Sequence, residues 1–385
     1  MPVVTTVSGV QYSGIWTMQQ VNAAIAAGTW PSPPGPALYS WGANYGGQLG
    51  LNNVTYYSSP KQVGSLITWA SISGGGAFTV AIKLDGTLWS WGRNGSGQLG
   101  LGNTTEYSSP KQVGALTNWL KISAGSYSCV AIKTNGTIWS WGNGQSGKLG
   151  LGNTTYYSSP KQIGSLTDWA NVAVGDSHVI ALKTDGTLWS WGSNSSGRLG
   201  LNDLTPRSSP VQIGALTSWV DLEAGFNNSQ AIQSNGTLWS WGNNYAGGLG
   251  LGNTTYYSSP KQIGSLTTWL KVSTGYCDSF AIKTDGTIWS WGLNNFGQLG
   301  LGNTTNYSSP KQIGAGTLWS KVACGLSFTI STKTDGTLWA WGKNNYGQLG
   351  LGNTTYRSSP NQVGSLTTWL NIASGNYHTV TTKNT

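Results

Sequence analysis

Asp176-Ser177-His178 brings together the residue types of a nucleophilic relay. Such a relay needs a hydroxyl, an imidazole to take its proton and a carboxylate to orient the imidazole, each within hydrogen-bond reach of the next. Three neighbours in one loop do not meet that geometry by adjacency, and the only other histidine, His378, lies far along the chain. No pair of carboxylates stands out among the 11 acidic residues. No His, Cys and carboxylate cluster has the spacing of a metal site. Gly97-Gln98-Leu99-Gly100-Leu101-Gly102 resembles a phosphate cradle in composition, but it recurs in every repeat and so reads as a turn. Cys129, Cys277 and Cys324 fall at different places in different repeats and read as buried free thiols. The sequence predicts no catalytic residue, no metal and no cofactor.

What the sequence does specify is a period of fifty residues. Trp41, Trp91, Trp141, Trp191, Trp241, Trp291 and Trp341 occupy one position of the repeat, and Trp69, Trp119, Trp169, Trp219, Trp269, Trp319 and Trp369 another. A third carries Tyr39 and then Trp89, Trp139, Trp189, Trp239, Trp289 and Trp339, so that three positions hold 20 of the 22 tryptophans. The chain is one unit used seven times. Only 8% of its residues are charged and 57 are glycine. A buried Trp nevertheless contributes up to about 4–6 kcal/mol from the area it removes from water. Twenty of them can hold a large core.

Each unit reads as four short strands, in one copy about 111–113, 119–123, 128–134 and 137–141. Asn135-Gly136, like Asp85-Gly86 and its counterparts, marks a two-residue hairpin between the last two. Ser108-Ser109-Pro110 precedes the short outer strand, where proline blunts an edge. The array opens at Ala37, just after a hairpin turn, and closes at Thr385, just where one would fall. On this count three strands of a blade come from the C-terminal end and the fourth from the N-terminal end. The prediction is an all-β fold: a seven-bladed β-propeller of four-stranded blades over 37–385, closed by both chain ends.

Residues 1–36 differ in composition. Residues 1–13 read as an extended arm. Trp16 to Gly28 reads as a short helix, with Thr17 and Gln20 as a capping box and Met18, Val21 and Ile25 on one face. Trp30-Pro31-Ser32-Pro33-Pro34-Gly35-Pro36 is a stiff linker. Trp16, Met18, Val21, Ile25 and Trp30 are the candidate anchor. They dock either on another subunit or back on the propeller, because a helix of about ten residues is marginal alone.

The unit W-G-x-N-x-x-G-Q-L-G-L-G, followed by S-S-P and by A-I-K-x-D-G-T, resembles the regulator-of-chromosome-condensation repeat over residues 37–385. That resemblance implies a propeller and, across a family of diverse tasks, a binding surface. The founder's nucleotide exchange depends on a wedge inserted in one repeat, and this chain has no insertion. Tyr12-Ser13-Gly14-Ile15-Trp16-Thr17-Met18-Gln19-Gln20 and Ala26-Ala27-Gly28-Thr29-Trp30-Pro31 resemble a leader of tailed-bacteriophage structural and fibre proteins.

Recognition is sought where the copies differ. One variable stretch enters the third strand of the unit and holds Phe78, Tyr127, His178, Phe226, Tyr276, Phe328, Tyr377 and His378; the other follows Trp-Gly and holds Tyr45, Tyr245, Phe296 and Tyr346. Aromatic residues among Asn and Ser give rigid contact area with adaptable hydrogen bonding; the alternative is solvated turns without a ligand. The net charge of +9 comes largely from two lysine series, at Lys61 and Lys83 and their repeats. They either attract an anionic polymer or keep strand edges from pairing, and their structural spacing favours the latter.

No apolar run reaches the roughly 18 residues of a membrane span, and Met1-Pro2-Val3-Val4 lacks a secretion-signal pattern. The Asn-Thr-Thr triplets then read as loop-turning Asn. The expected function is that of a bacteriophage virion protein, of tail-fibre or decoration type. It would contact other virion proteins through residues 1–36 and display the disc to host-surface polysaccharide, host protein or another subunit. The alternative is a free, cytoplasmic bacterial interaction propeller. Nucleic-acid binding lacks any module beyond charge.

Overall fold

The computed structural model describes residues 5–7, 10–12 and 35–384. The chain divides into two units, Met1–Gly35 and Pro36–Thr385. In the first, Thr5–Val7 and Val10–Tyr12 pair antiparallel, Thr5 opposite Tyr12. The expected helix at Trp16 to Gly28 lies outside the described residues.

The second unit is seven four-stranded antiparallel sheets. In blade 1 the inner strand is Trp69–Gly74, followed by Phe78–Lys83, Leu88–Gly92 and the outer strand Tyr107–Gln112. Blades 2 to 6 repeat this order at intervals of fifty residues. Blade 7 takes Trp369–Ser374 and His378–Lys383 from one end of the chain and Ala37–Gly42 and Tyr57–Gln62 from the other. Closure by both ends is therefore correct, but the split is two strands and two, not three and one. The outer strand pairs with the third strand that precedes it in sequence, so Arg357–Gln362 belongs to blade 6. The outer strand also starts earlier than expected. Ser-Ser-Pro lies within it, where the ladder skips from Ser90↔Lys111 to Gly92↔Tyr107 and leaves Pro110 in an irregular edge segment that asks for no amide.

The core lies between blades. Phe78, Val80, Ile82 and Leu88 of blade 1 pack against Trp119, Ile122 and Trp141 of blade 2, and comparable clusters fill the other junctions. Each junction is latched by one indole. Trp91 donates Nε1–H to the Gln48 carbonyl at 3.0 Å, and Trp141, Trp191, Trp241, Trp291, Trp341 and Trp41 do the same to the preceding blade at 2.8 to 3.1 Å. Gly100, at φ +73, faces the indole of Trp141, and a Cβ there would lie 2.9 Å from its nitrogen. Only glycine fits both the backbone and the space. The outer tryptophans are used differently: Trp139 is half-buried, and its N–H goes to the hydroxyl of Thr137 in its own blade.

At one position of the second strand the blades carry Phe78, Ser128, His178, Asn228, Asp278, Phe328 and His378, all buried. His178 Nε2 lies 2.8 Å from Ser229 Oγ, and His378 Nε2 lies 3.0 Å from Thr79 Oγ1, each reaching into the next blade. Burial drives the His378 imidazole down to about 3 and the His178 imidazole well below its usual range, with Arg198 adding to the latter. Burial pushes Asp278 up to about 7. Glu223 faces the axial cavity and is pushed up to about 8, by burial first and Asp221 second.

These shifts have opposite linkage signs. Histidines held neutral contribute stability that is present above about pH 6.5 and lost as pH falls. Carboxyls whose folded pKa is raised contribute stability that is present at acid pH and lost as pH rises to about 8. Between about pH 6.5 and 8 only the carboxyl effect operates. The thermal midpoint is expected to fall across that interval and to become flat in the double variant Glu223→Gln/Asp278→Asn. An unchanged slope in that variant would refute the assignment. For the latch, Trp141→Phe should cost about 1–3 kcal/mol in denaturant unfolding, since the Gln98 carbonyl loses its indole donor. Trp139→Phe should cost clearly less.

Candidate recognition face

Both variable stretches fall on one face of the disc. Gly74 pairs with Thr79, Phe78 with Gly92, and Gly92 with Tyr107. The loop after the inner strand and the loop after the third strand therefore emerge together, opposite the Asp-Gly turns. The second loop is built on an asparagine present in six of the seven copies, with Gly144 in its place in blade 2. Asn94, buried, accepts from the Leu99 amide at 3.0 Å and donates to the carbonyls of Asn103 and Thr105 at 3.0 and 2.9 Å. Asn44, Asn244, Asn294 and Asn344 repeat this clamp. These asparagines hold the loop and leave its other residues free to vary.

The aromatic side chains that do vary form an arc across blade boundaries. Phe296 of blade 5 meets Tyr356 of blade 6 edge to face at 5.7 Å, and Tyr346 of blade 6 meets Tyr56 of blade 7 at 5.8 Å. Tyr346 also meets Tyr377 at 5.2 Å. Tyr45 is exposed and half-desolvated; burial raises its phenol, the nearby Arg93 opposes this, and Tyr377, Tyr127 and Tyr56 lie close enough to add to the rise. Lys148 lies over Tyr127 at 5.9 Å and Lys343 over Phe296 at 4.8 Å. Phe226 and Tyr276 pair at 4.8 Å across the junction of blades 4 and 5. Tyr245 stands the most open of these aromatics, at 56% exposure.

Four of the sequence-derived recognition candidates are not on this face. Phe78, Phe328, His178 and His378 have no exposed surface and fill the blade junctions described above. They belong to the first position of the second strand, whose side chain turns inward although the residues before it lie in the loop. Conversely, Tyr56 and Tyr356 were not singled out by sequence, because they sit in the repeated Asn-x-Thr-containing loops. The available signal was alternation: at that position Tyr56, Tyr156, Tyr256 and Tyr356 alternate with Glu106, Pro206 and Asn306. The candidate anchor residues Trp16, Met18, Val21, Ile25 and Trp30 lie outside the described residues.

Catalytic geometry is not assembled at Asp176-Ser177-His178. Ser177 donates to Asp176 Oδ2 at 2.7 Å, while His178 turns away to Ser229. Among the described residues no group of three or more His, Cys, Asp or Glu could hold a metal, and no helix is long and apolar enough to cross a membrane. Cys129 and Cys277 are buried and Cys324 partly so; burial raises all three thiols. The lysine series are structural in placement. The ammonium groups of Lys83, Lys133, Lys183, Lys283 and Lys333 sit 3.5 to 4.4 Å from the ring centres of the outer tryptophans. Those of Lys61, Lys111, Lys161, Lys261 and Lys311 lie 5.4 to 5.7 Å from tyrosine rings of their own strands.

The fold is shared with known propellers. The chain is similar to human WBSCR16 at 22% identity, with a TM-score of 0.81 over 91% of this chain and 99% of that one. It is similar to Prp20p of Saccharomyces cerevisiae at 19% identity, with a TM-score of 0.80 over 91% and 92%. A second structure of the yeast protein, RCC1 (Prp20) with Kap60, gives 0.83 over 99% and 96%, again at 19% identity. No curated protein sequence matches significantly. The regulator of chromosome condensation (RCC1) repeat matches residues 37–82, 85–132 and 135–182. The RCC1-like domain matches residues 159–385, more than half of the chain, and the protein belongs to that family.

Proposed function

We propose that this protein is a binding propeller carried on a bacteriophage particle, of tail-fibre or decoration type. Residues 1–36 attach it to other virion proteins, and the loop face is presented to a host surface or a neighbouring subunit. The observation that carries the binding role is the placement of the exposed non-repeating aromatics: they gather on one face, while the tryptophans, asparagines and glycines that repeat are used in latches, clamps and turns. A disc whose blades share one latched scaffold and whose exposed aromatics vary on one face suits recognition. The particle-borne role rests on the resemblance of the stretch Tyr12 to Pro31 to phage structural leaders.

A second reading is favoured by a specific likeness. The structure of Prp20p is described together with binding to Gsp1p and histones, so a free propeller that binds a protein through the same face is the alternative. The readings separate by location. Quantitative mass spectrometry of purified particles should find the protein at fixed stoichiometry to the capsid protein, and deletion of residues 1–36 should leave the disc in the lysate. Its absence from particles, or undiminished incorporation of the truncated chain, would leave the free interaction propeller as the function.

A further inference from the structure

We infer that the loop face takes a linear acidic polysaccharide, seated on a tandem pair of aromatic docks at the junctions of blades 5, 6 and 7. The inference rests on the reading of this face as the recognition surface. The same contact is built twice, one blade apart. Phe296 and Tyr356 meet at 5.7 Å and 82°, Tyr346 and Tyr56 at 5.8 Å and 81°. In each, a residue after the third strand of one blade props a tyrosine before the outer strand of the next. Tyr356 and Tyr56 remain 43% and 44% exposed. A propped ring loses little freedom on binding. Ring symmetry turns the sequence repeat into a spatial repeat, and a ligand that itself repeats can engage both docks through one chain.

Charge and surface chemistry select the ligand class. The flat C–H face of a pyranose stacks on an aromatic ring, and its hydroxyls reach outward to amides such as those of Asn295 and Asn345, both exposed. Lys343 stands between the docks, 4.8 Å from the Phe296 ring and 5.9 Å from that of Tyr377. Arg357 follows Tyr356. No carboxylate occurs in 293–296, 343–346, 355–357 or 55–57. Two cations beside a pair of docks match a carboxylate on every sugar or every second sugar. It is sparse for nucleic acid, whose phosphate at every nucleotide calls for a denser basic track. A helical peptide would need an apolar groove, whereas this surface is tyrosine, asparagine and threonine.

The test is direct binding by the purified full-length chain to immobilised alginate, polygalacturonate, hyaluronate and polysialic acid. Dextran, poly-glutamate and single-stranded DNA serve as comparators. At least one acidic polysaccharide should bind more tightly than all three comparators. Tyr56→Ala and Tyr356→Ala should each weaken it about tenfold and together about a hundredfold, with thermal midpoints unchanged. Lys343→Gln should weaken the acidic polysaccharide and reduce its salt dependence. Binding to none of the four, equal binding to poly-glutamate, tighter binding to DNA, or indifference to the double tyrosine change would each overturn the inference. The parent reading is tested separately, by host adsorption of particles carrying Tyr56→Ala/Tyr356→Ala. If adsorption falls while no polysaccharide binds, the ligand class is wrong and the face is right; if neither responds, both are wrong.

Discussion

The ring depends on seven hydrogen bonds from an indole to a main-chain carbonyl of the preceding blade. The acceptor is backbone, so its side chain is free: the carbonyl belongs to Gln48, Gln98, Lys148, Arg198, Gly248, Gln298 and Gln348 in turn. In five junctions the same carbonyl also accepts from a hydroxyl on the second strand, as Gln48 does from Thr79 at 2.8 Å and Arg198 from Ser229 at 2.8 Å. A buried carbonyl left without a donor is costly, so each latch fixes a blade angle as well as a distance. What cannot vary is the Trp and the glycine beneath it.

This explains what was legible in the sequence. The tryptophan period, the Asp-Gly and Asn-Gly hairpins and the propeller closed by both ends all follow from local chemistry that repeats. The strand boundaries followed less well. The outer strand runs past its proline because the ladder breaks there, and a broken ladder leaves no trace in hydrophobic alternation. The division of blade 7 turned on which neighbour the outer strand pairs with, a tertiary choice that the repeat spacing leaves open.

The variable stretches were legible in the sequence, but the side of the disc they share and which of their residues are exposed were not. Variation between copies marks two stretches, but variation does not tell a buried substitution from an exposed one. His178 and Phe78 vary for packing reasons, since each fills the wedge between its own blade and the next. Tyr45 and Tyr346 vary at the surface. The distinction is a matter of one residue along the strand, between the last position of the loop and the first of the ladder. Asn94 shows the converse: it lies in a variable stretch and is itself a buried clamp, repeated in six of the seven copies.

The tyrosines before the outer strands occupy every second blade, at Tyr156, Tyr256, Tyr356 and Tyr56. A ring with an odd number of members cannot alternate all the way round. Somewhere two like members must touch, as one spin is always frustrated in an odd antiferromagnetic loop. Here the mismatch falls between blades 6 and 7, and it is what sets Tyr356 and Tyr56 on adjacent blades. An odd blade count and an alternation that begins and ends on tyrosine together give an almost uniform disc a single direction, and a partner able to use two neighbouring tyrosines meets this molecule in one orientation.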